Sequence, residues 1–255
     1  MKILNHSTLV LHPDFKELKP FLQSIPDRFR HNEGIVIHKG RNELRRISYA
    51  GRDFVIKSFR CPNIINQFVY GVFRPSKAKR SYDHALLFLQ IGVGTPQPVG
   101  YLNIRKGLLF NRSYYITLAS ECPFRYEDLF RRKFDCEEDV LRAVGRVTAI
   151  LHEHGYAHKD YGRANILFGK FPDGIRLDIV DLNRLSIKKI GMKAGCKNLE
   201  RLPATPSMHH IIAEEYAKVR GFDAKRCYEL MVAFRRVQPG KEEKEIEALK
   251  KMQIE

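Results

Sequence analysis

The chain has 255 residues, 44% hydrophobic and 29% charged, an ordinary balance for a globular protein with one core or two lobes around a cleft. Its 45 Lys and Arg against 29 Asp and Glu give a net charge of +16, which implies a polyanionic partner: nucleic acid, an anionic membrane surface or a phosphorylated substrate. No apolar run approaches the roughly 18 to 20 residues that cross a bilayer, and the opening MKILNHSTLV is too short and polar for a signal peptide. A cytoplasmic protein is therefore expected. The basic residues recur along the chain (Arg41, Arg45, Arg46; Lys77, Lys79, Arg80; Arg131, Arg132, Lys133; Lys188, Lys189), which favours a folded basic surface over a basic arm. Cys61, Cys122, Cys136, Cys196 and Cys227 are scattered and form no CxxC pair, so free thiols are expected rather than a disulfide framework or a cysteine zinc site.

In chain order, HPDFKELKPFLQSIPDRF reads as a short amphipathic segment broken by Pro20 and Pro26. Three short strands follow at 35–39, 44–49 and 54–59, with turns at Gly40-Arg41-Asn42 and Ala50-Gly51-Arg52. SKAKRSYDHALLFLQIG has helical spacing and stops at Gly92. Strands resume after it, with a turn near Lys106-Gly107 and a β-rich stretch at 114–118. Near 119–123 sheet gives way to helix. Residues 139–152 carry Val140, Val144, Val147, Ile150 and Leu151 on one stripe. Strands at 165–168 and 175–180 flank the turn FPDG. From Asn198 onward the chain is helical in pattern, and KEEKEIEALKKMQIE reads as a solvated helix or frayed tail. The domains expected are a β-rich lobe over 1–120 with one main helix, and a short helical lobe over 121–255.

HGYAHKDYGRANILFG, at 154–169, carries the chemistry. His158, Asp160 and Asn165 stand in the pattern H-x-D-x-x-x-x-N, and the later apolar LDIVDLN ends in Asp181. This resembles the protein-kinase-like catalytic loop, with DLN where kinases carry D-F-G. Phosphoryl transfer is largely positioning and charge neutralisation. One loop carboxylate must meet the acceptor hydroxyl, while an amide oxygen and a second carboxylate hold magnesium. Upstream, FVIKSF places Lys57 on the third strand, where an ammonium meets the α and β phosphates. The following helix offers Asp83 and no Glu as its carboxylate partner. HKGRNELRR has the single glycine Gly40, yet amides near Gly40 to Asn42, helped by Lys39 or Arg41, could cover phosphates.

GRN, VIKSF, SKAKRSYDHALLFLQIGVGTPQPVGY, HGYAHKDYGRANILF and IVDLNRL together resemble the lipopolysaccharide inner-core kinase family, the Kdo and heptose kinases. The likeness runs from about residue 30 to about residue 235, GVGTPQPVGY being its most specific piece. It implies an α+β, two-lobed protein-kinase-like fold. It also implies ATP and Mg²⁺ as cofactors, and a Kdo or heptose hydroxyl of lipid A-linked core as acceptor, met at the cytoplasmic face of the inner membrane. Carried over by motif, Asp160 is the catalytic base and Asn165 and Asp181 hold magnesium. Lys57 orients phosphates, and Asp83 stands for the helix carboxylate in place of the family's usual Glu. His158 braces the loop. Arg163 meets the γ phosphate or an anionic acceptor, or is surface charge.

The residues agree on two further points. No A-P-E element follows DLN, which leaves little chain for a protein-substrate platform. A strongly basic surface suits an acceptor with carboxylates and phosphates on an anionic membrane. Two other readings stay open. A kinase-like enzyme for proteins or small antibiotics would share the motif without needing the charge. A nucleic-acid-binding protein would account for the charge, but no RNP, zinc or helix-turn-helix pattern is present and nucleic acid is not expected. His152 and His154, at a helix end and its turn, and MHH at 208–210 suggest no zinc site.

Overall fold

A computed structural model of the chain describes residues 5–60, 75–106 and 109–236; Cys61, Gly107 and the charged segment 241–255 lie outside them. The chain divides into two units, Met1–Leu87 with Pro96–Ser120, and Phe88–Thr95 with Glu121–Glu255.

The first unit is built on an antiparallel sheet of β1 (Asn5–Leu11), β2 (Ile35–Lys39), β3 (Asn42–Tyr49), β4 (Arg52–Arg60), β5 (Pro98–Lys106) and β6 (Leu109–Leu118). Their order is β1-β5-β6-β4-β3-β2. Ala50 and Gly51, both at positive φ (49° and 74°), turn β3 into β4. Such turns match the right-handed twist of the strands they join. β1 was not foreseen: it pairs with β5 from Asn5↔Lys106 to Leu11↔Gly100, a partner far along the chain.

The N-terminal segment is not broken by its prolines. A 3-10 turn over Pro13–Leu18 runs into α1 (Lys19–Arg30), with Pro20 in its first turn and Pro26 inside it. Pro20 falls where a missing N–H costs nothing. Pro26 gives up one helical bond, and the buried face of Phe21, Leu22, Ile25 and Phe29 offsets it. Each such side chain contributes about 1.5–3 kcal/mol when fully buried. Phe21 stacks on Tyr49 at 4.4 Å between centroids and tilts against Phe54 at 4.9 Å, so α1 is clamped to the core of the sheet.

α2 (Lys77–Gln90) starts at Ser76, whose Oγ accepts the Lys79 N–H at 3.0 Å, and stops before Gly92 at φ 76°. Ala78 and Tyr82 pack with Phe59 and Tyr101. The opposite face, with Lys79 and Asp83, is left to solvent.

The second unit holds α3 (Glu137–Glu153), α4 (Met192–Asn198), α5 (Pro206–Arg220) and α6 (Ala224–Arg236). Its strands are β7 (Phe124–Arg125), β8 (Tyr156–His158), β9 (Ile166–Phe171), β10 (Gly174–Ile179) and β11 (Leu185–Ile187). They form a three-stranded sheet β10-β9-β7 and a pair β11-β8. The buried stripe of α3 differs from the expected one. Val140, Val144 and Leu151 are buried as read, but Val147 and Ile150 are only partly covered, and Gly145, Thr148 and His152 are buried instead. The cause is close packing on α5. A Cβ at Gly145 would lie 2.7 Å from the Ile212 carbonyl oxygen, so the face that meets α5 is chosen by smallness as well as by hydrophobicity. Cys122, Cys136, Cys196 and Cys227 are free and buried.

Candidate active site

Two strand pairs fix the ends of the loop that carries the motif. β8 and β11 pair at His158↔Leu185, and β9 pairs with β10 up to Ile166↔Ile179. One residue further, the Val180 N–H donates to the Asn165 carbonyl at 3.0 Å. The hairpin register thus carries Asn165 and Asp181 to the same end, beside the loop of Asp160. On the outer edge of β10 the Ile179 N–H donates to the Gly94 carbonyl at 2.9 Å. A Cβ on Gly94 would sit 2.0 Å from the Leu177 oxygen, so only glycine allows that approach. The distinctive GVGT segment is therefore a brace for the strand leading into Asp181.

His158, 1% exposed, organises the loop from inside. Its Nδ1 accepts the Asp160 N–H at 3.1 Å, so the ring proton is on Nε2, which lies 3.2 Å from the carbonyl oxygens of both Val180 and Asp181. One imidazole ties the backbone of the Asp160 loop to that of the Asp181 turn. Asn165 donates from Nδ2 to the Asp160 carbonyl at 2.8 Å, and its own N–H bonds the Gly162 carbonyl at 2.9 Å. With the amide nitrogen so committed, Oδ1 is the end that can meet a cation. Asp181 adopts φ 61°, a left-handed conformation that costs a non-glycine residue about 1–2 kcal/mol and that Asp tolerates better than most. Its Oδ1 accepts a hydrogen bond from the buried Asn183 side chain.

A second layer holds the first. The Asn198 Nδ2 donates to the His158 carbonyl at 2.9 Å, and its Oδ1 accepts from His152 Nε2 at 3.0 Å. His152 Nδ1 then accepts from the Tyr216 hydroxyl at 2.9 Å. All donors run in one direction, from α5 through α3 and α4 into the loop. Tyr161, fully buried beside Asp160, bonds Thr148 at 2.9 Å, and burial pushes its hydroxyl up to about 12.

This arrangement requires neutral imidazoles. Burial lowers His152 to about 4 from the ordinary 6.5, and lowers His158 as well. His209 falls to about 4 through burial first and the Arg235 charge second. The unfolded chain takes up these protons below pH 6.5 and the folded chain does not. Stability is therefore full above pH 6.5 and is lost as pH falls toward 4, by up to about 1.4 kcal/mol per pH unit for each histidine. Urea midpoints measured at pH 7.5, 6 and 5 should decline in that order. A flat profile would show that the rings are protonated in the folded state.

The remaining expected residues are placed as follows. Lys57 is half-buried on β4, opposite Leu44 and Tyr115, with its ammonium 5.4 Å from the Phe59 ring centroid. Asp83 is exposed on α2, its carboxylate 2.8 Å from the Lys79 ammonium. Lys39, Gly40 and Arg41 form the exposed tip between β2 and β3, where the Gly40 N–H bonds the Asn42 carbonyl at 3.1 Å. These lie in the first unit, while Asp160, Asn165 and Asp181 lie together in the second. Arg163 turns to the buried Glu127, with Nε 3.1 Å from Oε2, and so anchors the loop to the 3-10 helix Tyr126–Phe130. Sequence reading passed over Arg184, Asn198 and Arg201. Arg184 follows the DLN element directly and was within reach, but nothing local marks Asn198 or Arg201.

Among the described residues no group of three or more His, Cys, Asp and Glu could hold a metal. Magnesium bound through one carboxylate, one amide oxygen and nucleotide phosphates needs no such group. Asn165 Oδ1 and the Asp181 carboxylate are oxygen donors of the kind that ion takes, and they fit it.

A family model described as "Lipopolysaccharide kinase (Kdo/WaaP) family" matches residues 76–219. No curated protein sequence matches the chain. Among solved structures, "WaaP in complex with acyl carrier protein" is similar with a TM-score of 0.63 at 17% identity, covering 95% of this chain and 99% of that one. A Rio2 kinase complex with ADP, Mg²⁺ and phosphoaspartate from Chaetomium thermophilum matches at a TM-score of 0.47 and 12% identity, over 92% of this chain and 76% of that one. The fold is protein-kinase-like.

Proposed function

The chain belongs to the lipopolysaccharide kinase (Kdo/WaaP) family, and from that membership we propose that it transfers the γ-phosphoryl group of ATP to a Kdo or heptose hydroxyl of the lipid A-linked inner core. The observation that supports this reading best is the closed loop in which His158 ties Asp160 to Asp181 while Asn165 bonds the Asp160 carbonyl. Asp160 takes the proton of the acceptor hydroxyl. Asn165 and Asp181 offer oxygens to Mg²⁺, and that ion, when bound, neutralises charge on the phosphate oxygens. Lys57 orients the α and β phosphates, Asp83 is the carboxylate of the helix that follows, and the amides at Gly40 with Lys39 and Arg41 cover the phosphates. Catalysis of this kind is chiefly positioning, which a loop braced from three helices supplies.

The net charge of +16 suits an acceptor at an anionic membrane surface, and among the described residues no helix is long and apolar enough to cross one. Peripheral attachment is therefore proposed, on the cytoplasmic side where ATP is available. WaaP was solved with acyl carrier protein, so a protein partner is proposed beside the lipid-linked acceptor.

Incubation with labelled ATP should phosphorylate Kdo-bearing lipid A precursor and leave generic protein substrates and aminoglycosides unlabelled. Binding to acceptor-containing anionic vesicles should weaken with salt, because exposed charges are screened beyond roughly 8 Å at physiological ionic strength. Label in a protein or an antibiotic would overturn the lipopolysaccharide acceptor and leave the fold unaffected.

A further inference from the structure

Asp160 is held by two arginines. Arg201 NH1 lies 3.2 Å from its Oδ1, and Arg184 NH2 pairs with its Oδ2. Two guanidiniums on one carboxylate leave a surplus of one positive charge. The Asp160 side chain is 20% exposed, whereas Arg184 and Arg201 are 54% and 58% exposed, so the surplus faces solvent.

Neither arginine stands on a loose segment. Arg201 lies between Leu199 and Leu202, buried to 3% and 1%. The same turn is tied by the Tyr126 hydroxyl to the Pro203 carbonyl at 2.8 Å and by Arg235 to the Glu200 carbonyl at 2.7 Å. Arg184 accepts the Lys159 N–H on its own carbonyl at 3.1 Å, which fastens it to the residue preceding Asp160. A guanidinium carries five N–H donors, and one carboxylate engages only some of them. Fixed bases with exposed forks suit a planar or tetrahedral oxyanion, which arginine binds in bidentate fashion.

We propose that Arg184 and Arg201 are the binding site for an oxyanion, carboxylate or phosphate, that the acceptor carries near the hydroxyl to be phosphorylated. The inference rests on Asp160 being the base. Without acceptor, Arg201 hydrogen-bonds Oδ1 of Asp160 and Arg184 ion-pairs with the buried Oδ2. An arriving oxyanion draws the two guanidiniums toward itself and returns the carboxylate of Asp160 to the acceptor hydroxyl. An uncharged sugar offers no such exchange, so the cluster selects anionic acceptors by charge as well as by fit.

Titration of the full chain with inorganic phosphate, free of nucleotide, tests the site without requiring turnover. Asp160→Asn should bind phosphate about tenfold more tightly, because the internal competitor has lost its charge and charged hydrogen bonds are worth about 1.5–3 kcal/mol. A gain of affinity cannot arise from misfolding. Arg184→Gln and Arg201→Gln should each weaken binding about tenfold by the same reasoning, with Arg201→Lys between. Free Kdo should follow the same ranking and its methyl ester should not bind. Phosphate affinities that ignore all four substitutions overturn the site. Tighter phosphate binding in Asp160→Asn with a raised KM for ATP in the arginine variants would place the oxyanion on the nucleotide and overturn its assignment to the acceptor. If the ranking holds but no lipid A is labelled, the lipid-linked acceptor is overturned and the anion site stands for another anionic acceptor.

Discussion

Replacing Asp160 by Asn lowers turnover by about 10²-fold or more, the scale of general-base and positioning contributions, while nucleotide binding persists. The loop should survive the change because its closing bonds are made by the backbone of Asp160: its N–H to His158 and its carbonyl from Asn165. What is lost is the oxygen proposed to receive the hydroxyl proton, since an amide accepts hydrogen bonds but not a proton at neutral pH. Nucleotide contacts are proposed for other residues, so ATP affinity should stay near that of the unmodified chain. Initial rates of acceptor labelling, together with a nucleotide titration, measure both halves of the expectation. Undiminished turnover would mean that another group takes the proton.

Asp181→Ala should abolish the magnesium-dependent part of thermal stabilisation by ATP. A ligand at 100 times its Kd stabilises by about 2.7 kcal/mol, which is ample for a melting curve. The carboxylate is the charged oxygen donor of the proposed metal pair, and Asn165 alone supplies only a neutral one. Alanine at φ 61° also strains the turn and removes the acceptor of Asn183. The better comparison is therefore Asp181→Asn, which keeps a side-chain acceptor and a residue that tolerates left-handed backbone. Both variants should lose the shift that Mg²⁺ adds to ATP. Equal shifts in variant and parent would put the metal on other ligands.

Much of this site is legible along the chain because its logic is local. Asp160 and Asn165 share one tight loop, and a hairpin turning at FPDG carries the chain from Asn165 to Asp181, so spacing alone implies that they meet. The strand at Ile35–Lys39 was read with its observed ends, and α3 was read within two residues at its start and one at its end, since periodicity of 2 or 3.6 is a property of neighbours. Local reading erred where a distant partner decided the outcome. β1 is a strand because β5 pairs with it. Pro26 stays in a helix because Phe21, Leu22, Ile25 and Phe29 have a sheet to bury against. Nor does local reading show the partner of Arg163, read as meeting the γ phosphate or an anionic acceptor or as surface charge: its Nε bonds Glu127, 36 positions away.

The order of residue types thus carries the proposed chemistry: a lysine, then a carboxylate for the base, then two oxygen donors, in the succession of the kinase-like motif, on a chain basic enough to favour anionic partners. Only the packed fold decides what each group touches before substrate arrives. Arg201 reaches Asp160 across 41 positions of chain, and Asn198 reaches the His158 carbonyl across 40, because α4 and the turn after it come to rest beside the loop. Loop spacing and side-chain periodicity depend on bonded neighbours, whereas ion pairs and buried hydrogen bonds depend on which helices close upon one another.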